Sequence, residues 1–189
     1  MSYTNISLCS KALIKIGAST IASFEEGTAE AEVAANLYPG IRDGLLSSYP
    51  WSFAVAQTQL ARLENVPVAD FKYAYLLPAD MLRIISAGHG GRGRGLEYRI
   101  HENRLHTNLP SVTLTYIFRP DESIFPPFFT EALVARLAAE FCLPLTESTG
   151  RAEFLSKTAE TAIGRARSID AQQATPSRFE DFTLVEVRQ

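Results

Sequence analysis

The chain has 189 residues, 46% of them hydrophobic and 21% charged, with a formal net charge of −3. Such a composition excludes a disordered polymer, which is poor in apolar residues, and weighs against a dedicated nucleic-acid binder, which carries a basic excess. A local basic patch stays compatible with it, and the length suits one domain.

The first predicted helix covers about Asn5 to Ile16, with Ile6, Cys9, Leu13 and Ile16 on one face and Gly17 as its stop. Its surroundings, MSYTNISLCSKALIK, lack a basic start followed by an apolar stretch and a cleavage site, so no leader is expected there. A loop rich in small and acidic residues, ASTIASFEEG, follows, and Phe24 in it is expected to tuck under the helices. The second helix starts at Thr28, whose hydroxyl can cap the first turn, with Glu30 and Glu32 suited to the positive helix end. Ala34, Tyr38, Ile41, Leu45 and Tyr49 recur at the helical period. Pro39 predicts a kink or two helices meeting near Tyr38, and Pro50 predicts a stop. Trp51 and Phe53 follow at once; with Tyr49 they form an aromatic group in which each ring can bury about 150–250 Å².

Beyond Trp51 the period changes to alternation. Residues 54–63 form a loose strand candidate, Phe71 to Leu77 a clear one ending at Pro78, and Met81 to Ala87 a second short one. Leu96 to His101 and Arg104 to Leu109 predict a hairpin turning at Glu102 and Asn103, and Val112 to Phe118 completes the sheet. Four or five short strands with one apolar face need a cover, which the helices are expected to supply.

The third helix is expected over Pro127 to Leu143, with Phe129, Leu133, Leu137 and Phe141 facing in and Pro144 as its stop. The fourth runs from about Thr146 or Ser148 to about Gln173, with Leu155, Thr158, Ala162, Ala166 and Ile169 facing in. The last fifteen residues, TPSRFEDFTLVEVRQ, read as an extended, strand-like tail. The expected fold is therefore α+β and mainly helical: a four-helix bundle (1–50 and 124–174) with an inserted small antiparallel β region (51–123) and an extended C-terminal tail (175–189). Cys9 and Cys142 lie in helical stripes and are expected to be buried free thiols, with cytosolic assembly as the natural setting.

Motifs that carry chemistry are few. Gly88, Gly90 and Gly93 match GxGxxG after a strand, but a dinucleotide site also needs a helix to begin there, and here another strand follows. An exposed loop is the better reading, with Arg92 and Arg94 available to a phosphate backbone or a neighbouring chain. His101 and His106 are five apart around a hairpin turn, whereas zinc hydrolases place two histidines four apart on a helix. Arg42 and Asp43 on the second helix read as surface or inter-helix charges, not catalytic ones. Neither a catalytic grouping, a metal nor a cofactor is signalled, and no enzyme is expected.

The order of segments carries more information. The helix with ALIKIGA, the acidic loop, the helix with LYPGIRDGLLSSYPWSFA, the pair FKYAYLLPADMLRI, the strand VTLTYIFRPD and the helix FTEALVARLAAEFCLPLT together resemble the tail tubular protein A family of short-tailed phages. Related head-tail adaptors occur in other phages and in gene transfer agents. The resemblance spans about residues 5–173, and YPWSFA followed by YLLPADMLRI is its most specific part. It implies a non-enzymatic ring of about twelve copies between the portal and the next tail component, with the DNA channel through its centre. It places the protein at the head-tail junction of a virion or virus-like particle assembled in the bacterial cytoplasm, without membrane contact. It also implies that the C-terminal tail reaches the portal, through Phe179, Phe182, Leu184 and Val185.

Two other readings compete. A nucleic-acid-binding module would use the basic loop and hairpin at 88–106, with Arg92, Arg94, Arg99 and Arg104 as cations and Tyr98 for stacking. A small-molecule binder or enzyme would need a deep cavity between sheet and helices.

Overall fold

In the computed structural model, residues 3–65 and 67–173 are described. Helix α1 (Asn5–Ile16) begins with a reciprocal cap between Thr4 and Ser7 and ends at Gly17, whose φ of 76° suits a residue without a Cβ. Helix α2 (Ala29–Ser48) is capped by Thr28, whose hydroxyl accepts the Ala31 amide at 3.2 Å. Pro39 lies inside α2 and the helix runs through it, so the alternative of two helices meeting near Tyr38 does not hold. A proline inside a helix costs about 3 kcal/mol. Burial of Tyr38, Leu45 and Leu46, at about 1.5–3 kcal/mol each for such side chains, outweighs that cost.

After Ser48 the backbone turns extended at Tyr49, and the chain enters the aromatic group. Trp51 is fully buried, and its indole N–H donates to the Leu45 carbonyl at 3.1 Å. Its ring centroid lies 5.0 Å from those of Tyr49 and Phe129, both edge-on. Phe53 and Phe125 also close on Phe129, each at 4.9 Å. The indole thus joins the end of α2 to helix α3 (Pro127–Thr146).

The strands are β1 (Val55–Gln59), β2 (Tyr73–Leu76), β3 (Met81–Gly88), β4 (Arg99–His101), β5 (Arg104–Thr107) and β6 (Thr113–Phe118). They form two three-stranded antiparallel sheets, ordered β1-β6-β3 and β2-β5-β4. The expected β4–β5 hairpin is present, and it turns on Glu102 and Asn103, both at positive φ. On the first sheet, Ile117 faces the helices while Leu114 and Tyr116 face away. There they meet Tyr75 and Leu105 of the second sheet in a separate apolar core that also holds Leu60, Leu77 and Val112. The order of layers is helices, first sheet, second sheet.

This arrangement corrects the expected fold. Four helices account for 49% of the chain and two sheets for 19%, so the class is α+β, but a four-helix bundle with one small β insert is not what forms. The helices gather on α3, which is buried along Phe129, Leu133, Leu137 and Phe141 and touches α1, α2 and α4 (Thr149–Asp170). Helices alone do not cover the strands either: the second sheet covers one face of the first. The alternation read from the sequence was sound, but periodicity does not say which strands pair.

Two helix details also differ. Pro144 does not end α3, which runs on to Thr146. In the last turn a proline forfeits one amide, and the chain stops only where Glu147 turns left-handed, its amide bonding to the Leu143 carbonyl at 3.0 Å. On α4 the buried line runs through Ala159, Ala166 and Asp170, while Thr158 and Ile169 are exposed. The small side chains let α4 lie close against Ala135 and Ala139 of α3. Both cysteines are free and buried as expected, and burial, with Glu122 nearby, pushes the Cys9 thiol up to about 12.

Replacing Trp51 with Ala removes the ring that joins α2, α3 and the start of the first sheet. The expected loss is about 3–5 kcal/mol of unfolding free energy, read from denaturant midpoints at unchanged slope.

Candidate functional surfaces

The joint between the layers is tied by charge as well as by rings. Glu122, in the short helical turn after β6, accepts from the Tyr38 hydroxyl at 2.9 Å and from Arg42 at 2.8 Å. Asp43 accepts from Arg42 at 2.9 Å and takes a forked contact from Arg119 at 2.7–3.1 Å. Arg42 and Asp43 therefore bridge elements, linking α2 to the chain leaving the first sheet. Burial raises the Asp43 carboxyl, but the hydrogen bonds from Arg119 and Arg42 outweigh it and hold the group below its ordinary range. At the other end of the joint, buried Asp170 receives the Ser52 amide at 3.0 Å and the Ser52 hydroxyl at 2.7 Å, fixing the end of α4 against the turn after Trp51.

The glycine loop at 88–95 is folded back, not held out. Gly88 and Gly95 form a bridge, and the Gly93 carbonyl accepts from Ser86 at 2.7 Å and from Thr115 at 3.3 Å. A Cβ on Gly88 would lie 1.9 Å from the Arg92 carbonyl oxygen, and one on Gly93 would lie 2.6 Å from the Gln57 amide. These glycines serve close packing of backbone on the sheet, and no helix begins at the loop. Arg92 and Arg94 are exposed on it.

Register separates these arginines from the hairpin cations. Gln57, Thr115 and Ser86 are cross-strand partners and share the helix-side face of the first sheet, which the loop covers. Arg99 and His106 are partners on the second sheet, as are His101 and Arg104. Tyr75 and Leu105 face the shared core, so these four residues, of opposite parity, face outward. The histidine ring centroids are 5.4 Å apart. The basic set expected from the sequence is thus split between two surfaces, and Tyr98, packed on the second core, is half-buried. The sequence singles out the two histidines at the hairpin, but their shared outer face follows only from strand parity combined with correct pairing. Among the described residues no three metal-ligating side chains converge.

Between sheet and helices the space is filled by Ala54, Ile117, Phe125 and Phe129, where a small-molecule binder would need a cavity. A shallow groove of about 450 Å³ lies instead between α2, α3 and α4, lined by Gly40, Gly44, Ser48, Arg136, Glu140 and Arg167 among others. Arg136 pairs with Glu140 at 2.7 Å, and Arg167 donates to Ser48 at 3.1 Å. The candidate portal contacts Phe179, Phe182, Leu184 and Val185, with the whole tail at 175–189, lie outside the described residues. No described helix is long and apolar enough to cross a membrane. No protein-family model matches the chain, and no curated protein sequence matches it.

Gly88→Ala should push the loop off the sheet, because the clash is with backbone. Folded protein should then be cut by trypsin faster at Arg92 and Arg94; an unchanged cleavage rate would show that the loop accommodates the methyl. For Asp43, a folded-state pKa held below the unfolded value of about 3.9 means that the ionised carboxylate favours the fold above that pH. That contribution is lost as pH falls through the folded value. Asp43→Asn should cost about 1 kcal/mol at pH 7, and urea midpoints of variant and parent should converge in acid below the unfolded pKa.

Proposed function

We propose that this chain is a structural head-tail adaptor, a ring-forming component between a portal and the next tail component, with DNA passing through the ring. The observation that carries the reading is where the family-like segments fall. YPWSFA builds the buried turn around Trp51, FRPD contains Arg119 of the charge tie, and FTEALVARLAAEFC is the α3 hub. The segments that resemble the family are the ones that hold the layers in one rigid unit, as a subunit under load in a tail requires.

Two features of the surface fit the same role. A ring closes through two different side surfaces that meet head to tail. Helix α4 packs inward through alanines and leaves a long outer face that includes Phe154, 69% exposed. A neighbouring copy is the natural cover for such a face. The C-terminal residues follow directly on α4, and Phe179, Phe182, Leu184 and Val185 are the side chains that would enter the portal by strand addition or groove docking. Exposed Arg92 and Arg94 would serve a contact with a neighbour or the channel on this reading. Assembly in the bacterial cytoplasm and residence in the particle follow from this role.

The test is co-assembly with the cognate portal, followed by sedimentation and negative-stain imaging, using the full chain and a truncation at Pro176. The full chain should add a ring to the portal and the truncation should not. Folded, monodisperse full-length protein that leaves the portal bare would overturn the proposal.

A further inference from the structure

Charge is unevenly spread along the chain. Residues 71–110 hold six Lys or Arg and three Asp or Glu, a local +3 in a protein of net −3. The two sheets divide this excess, and the outer face of the second one receives the part that strand pairing organises. The strands YAYL, RIH and RLHT contain no carboxylate; the nearest in the hairpin is exposed Glu102, in the turn between His101 and Arg104. Arg99 and His101 are exposed there, and Arg104 and His106 are half-buried beside them. Arg42, Arg119, Arg136 and Lys157 each meet a carboxylate within 2.9 Å, while most other Lys and Arg of the described residues have no such partner. Among the described residues, neither Arg99 nor Arg104 has such a partner.

The chemistry of this set selects the ligand. Two imidazoles alone are a poor cation site, and guanidinium groups on the partner strand positions repel a metal ion. An anion is favoured: guanidinium forks match phosphate oxygens two at a time, and each imidazole can donate through a ring N–H. The face is built on strands, and register adds two apolar side chains to it: Leu76, 54% exposed, beside Arg104, and buried Ala74 beside His106. Three strands span about 10 Å, over which a duplex presents about six backbone charges, so roughly two to four phosphate contacts fit.

We propose that the outer face of the second sheet, formed by Arg99, His101, Arg104 and His106, binds the phosphate backbone of duplex nucleic acid without regard to sequence. The inference does not depend on the adaptor reading and shares only Arg99 and Arg104 with the basic set suggested by the sequence. The test uses the full chain and a labelled duplex of about 20 base pairs, with affinity followed by fluorescence anisotropy from roughly 50 to 200 mM salt. The logarithm of affinity should fall with that of salt at a slope of about −2 to −4. R99Q/R104Q should make that slope shallower by about 2 and weaken binding at the lowest salt about tenfold or more, and H101Q/H106Q should weaken it less. R92Q/R94Q, on the other face, should leave both quantities unchanged. Arg104 and His106 are half-buried, so thermal melts establish that each variant is folded. No retention of duplex at the lowest salt, an unaltered slope in R99Q/R104Q, or loss carried by R92Q/R94Q would overturn the assignment. Equal displacement by polyglutamate at matched charge would also overturn it, by showing an acidic-peptide surface instead. None of these outcomes bears on ring formation with the portal.

Discussion

Burial of the Trp51 indole is the constraint on which the rest of the structure depends. A tryptophan is large and carries one donor that must be satisfied when desolvated, and here the Leu45 carbonyl satisfies it from within the last turn of α2. That bond is available because Pro50 prevents the helix from continuing, which turns the chain back over its own end. The ring then meets Tyr49 and Phe129 edge-on, so one side chain sets the angle between α2 and α3. The first sheet starts four residues later, at Val55, with little freedom left.

Around that ring the polar ties act at longer range in the sequence. Asp170 reaches Ser52 and Glu122 reaches Tyr38 and Arg42, contacts separated by 118, 84 and 80 residues. Each crosses from one structural layer or helix to another, and each leaves a charged or hydroxyl group half-buried with a partner. Singly they are worth little beyond the hydrogen bonds they make. Their value is in orientation: an unpaired Glu122 or Asp170 would be costly in this setting, so the ties penalise every docking of helices on sheet except one.

Much of this was legible in the residues. The Thr28 cap, the α3 stripe from Phe129 to Phe141, the turn at Glu102 and Asn103 and the burial of both cysteines follow from local chemistry and period. The pairing of strands did not. β2, β4 and β5 alternate as cleanly as β6, and nothing local tells a chain that Tyr75 should face Leu114 from a second sheet and not sit beside it in the first. On helix α4, Leu155, Ala162 and Ala166 face in as expected, but a stripe of alanines carries too little hydrophobic contrast to fix the rotation fully: Ala159 and Asp170 are buried in place of Thr158 and Ile169. A buried carboxylate is invisible to a hydrophobic period. The glycine motif does form an exposed loop as expected; what the sequence did not tell is that Gly88 and Gly93 pack against Arg92 and Gln57.

The layered arrangement also explains how an acidic protein can present a basic surface. At physiological ionic strength charges more than about 8 Å apart are largely screened. Stacked sheets lie about 10 Å apart, so the outer face of the second sheet is beyond one screening length from the first sheet, and the acidic helical layer is further still. On the binding proposed for it, a phosphate backbone approaching that face would meet Arg99, His101, Arg104 and His106, with Glu102 at the hairpin turn, and little of the rest of the net −3. Contacts limited to a few phosphates are weak and exchange readily, so such a surface holds a duplex without fixing its position, which is the condition for nucleic acid to move along it.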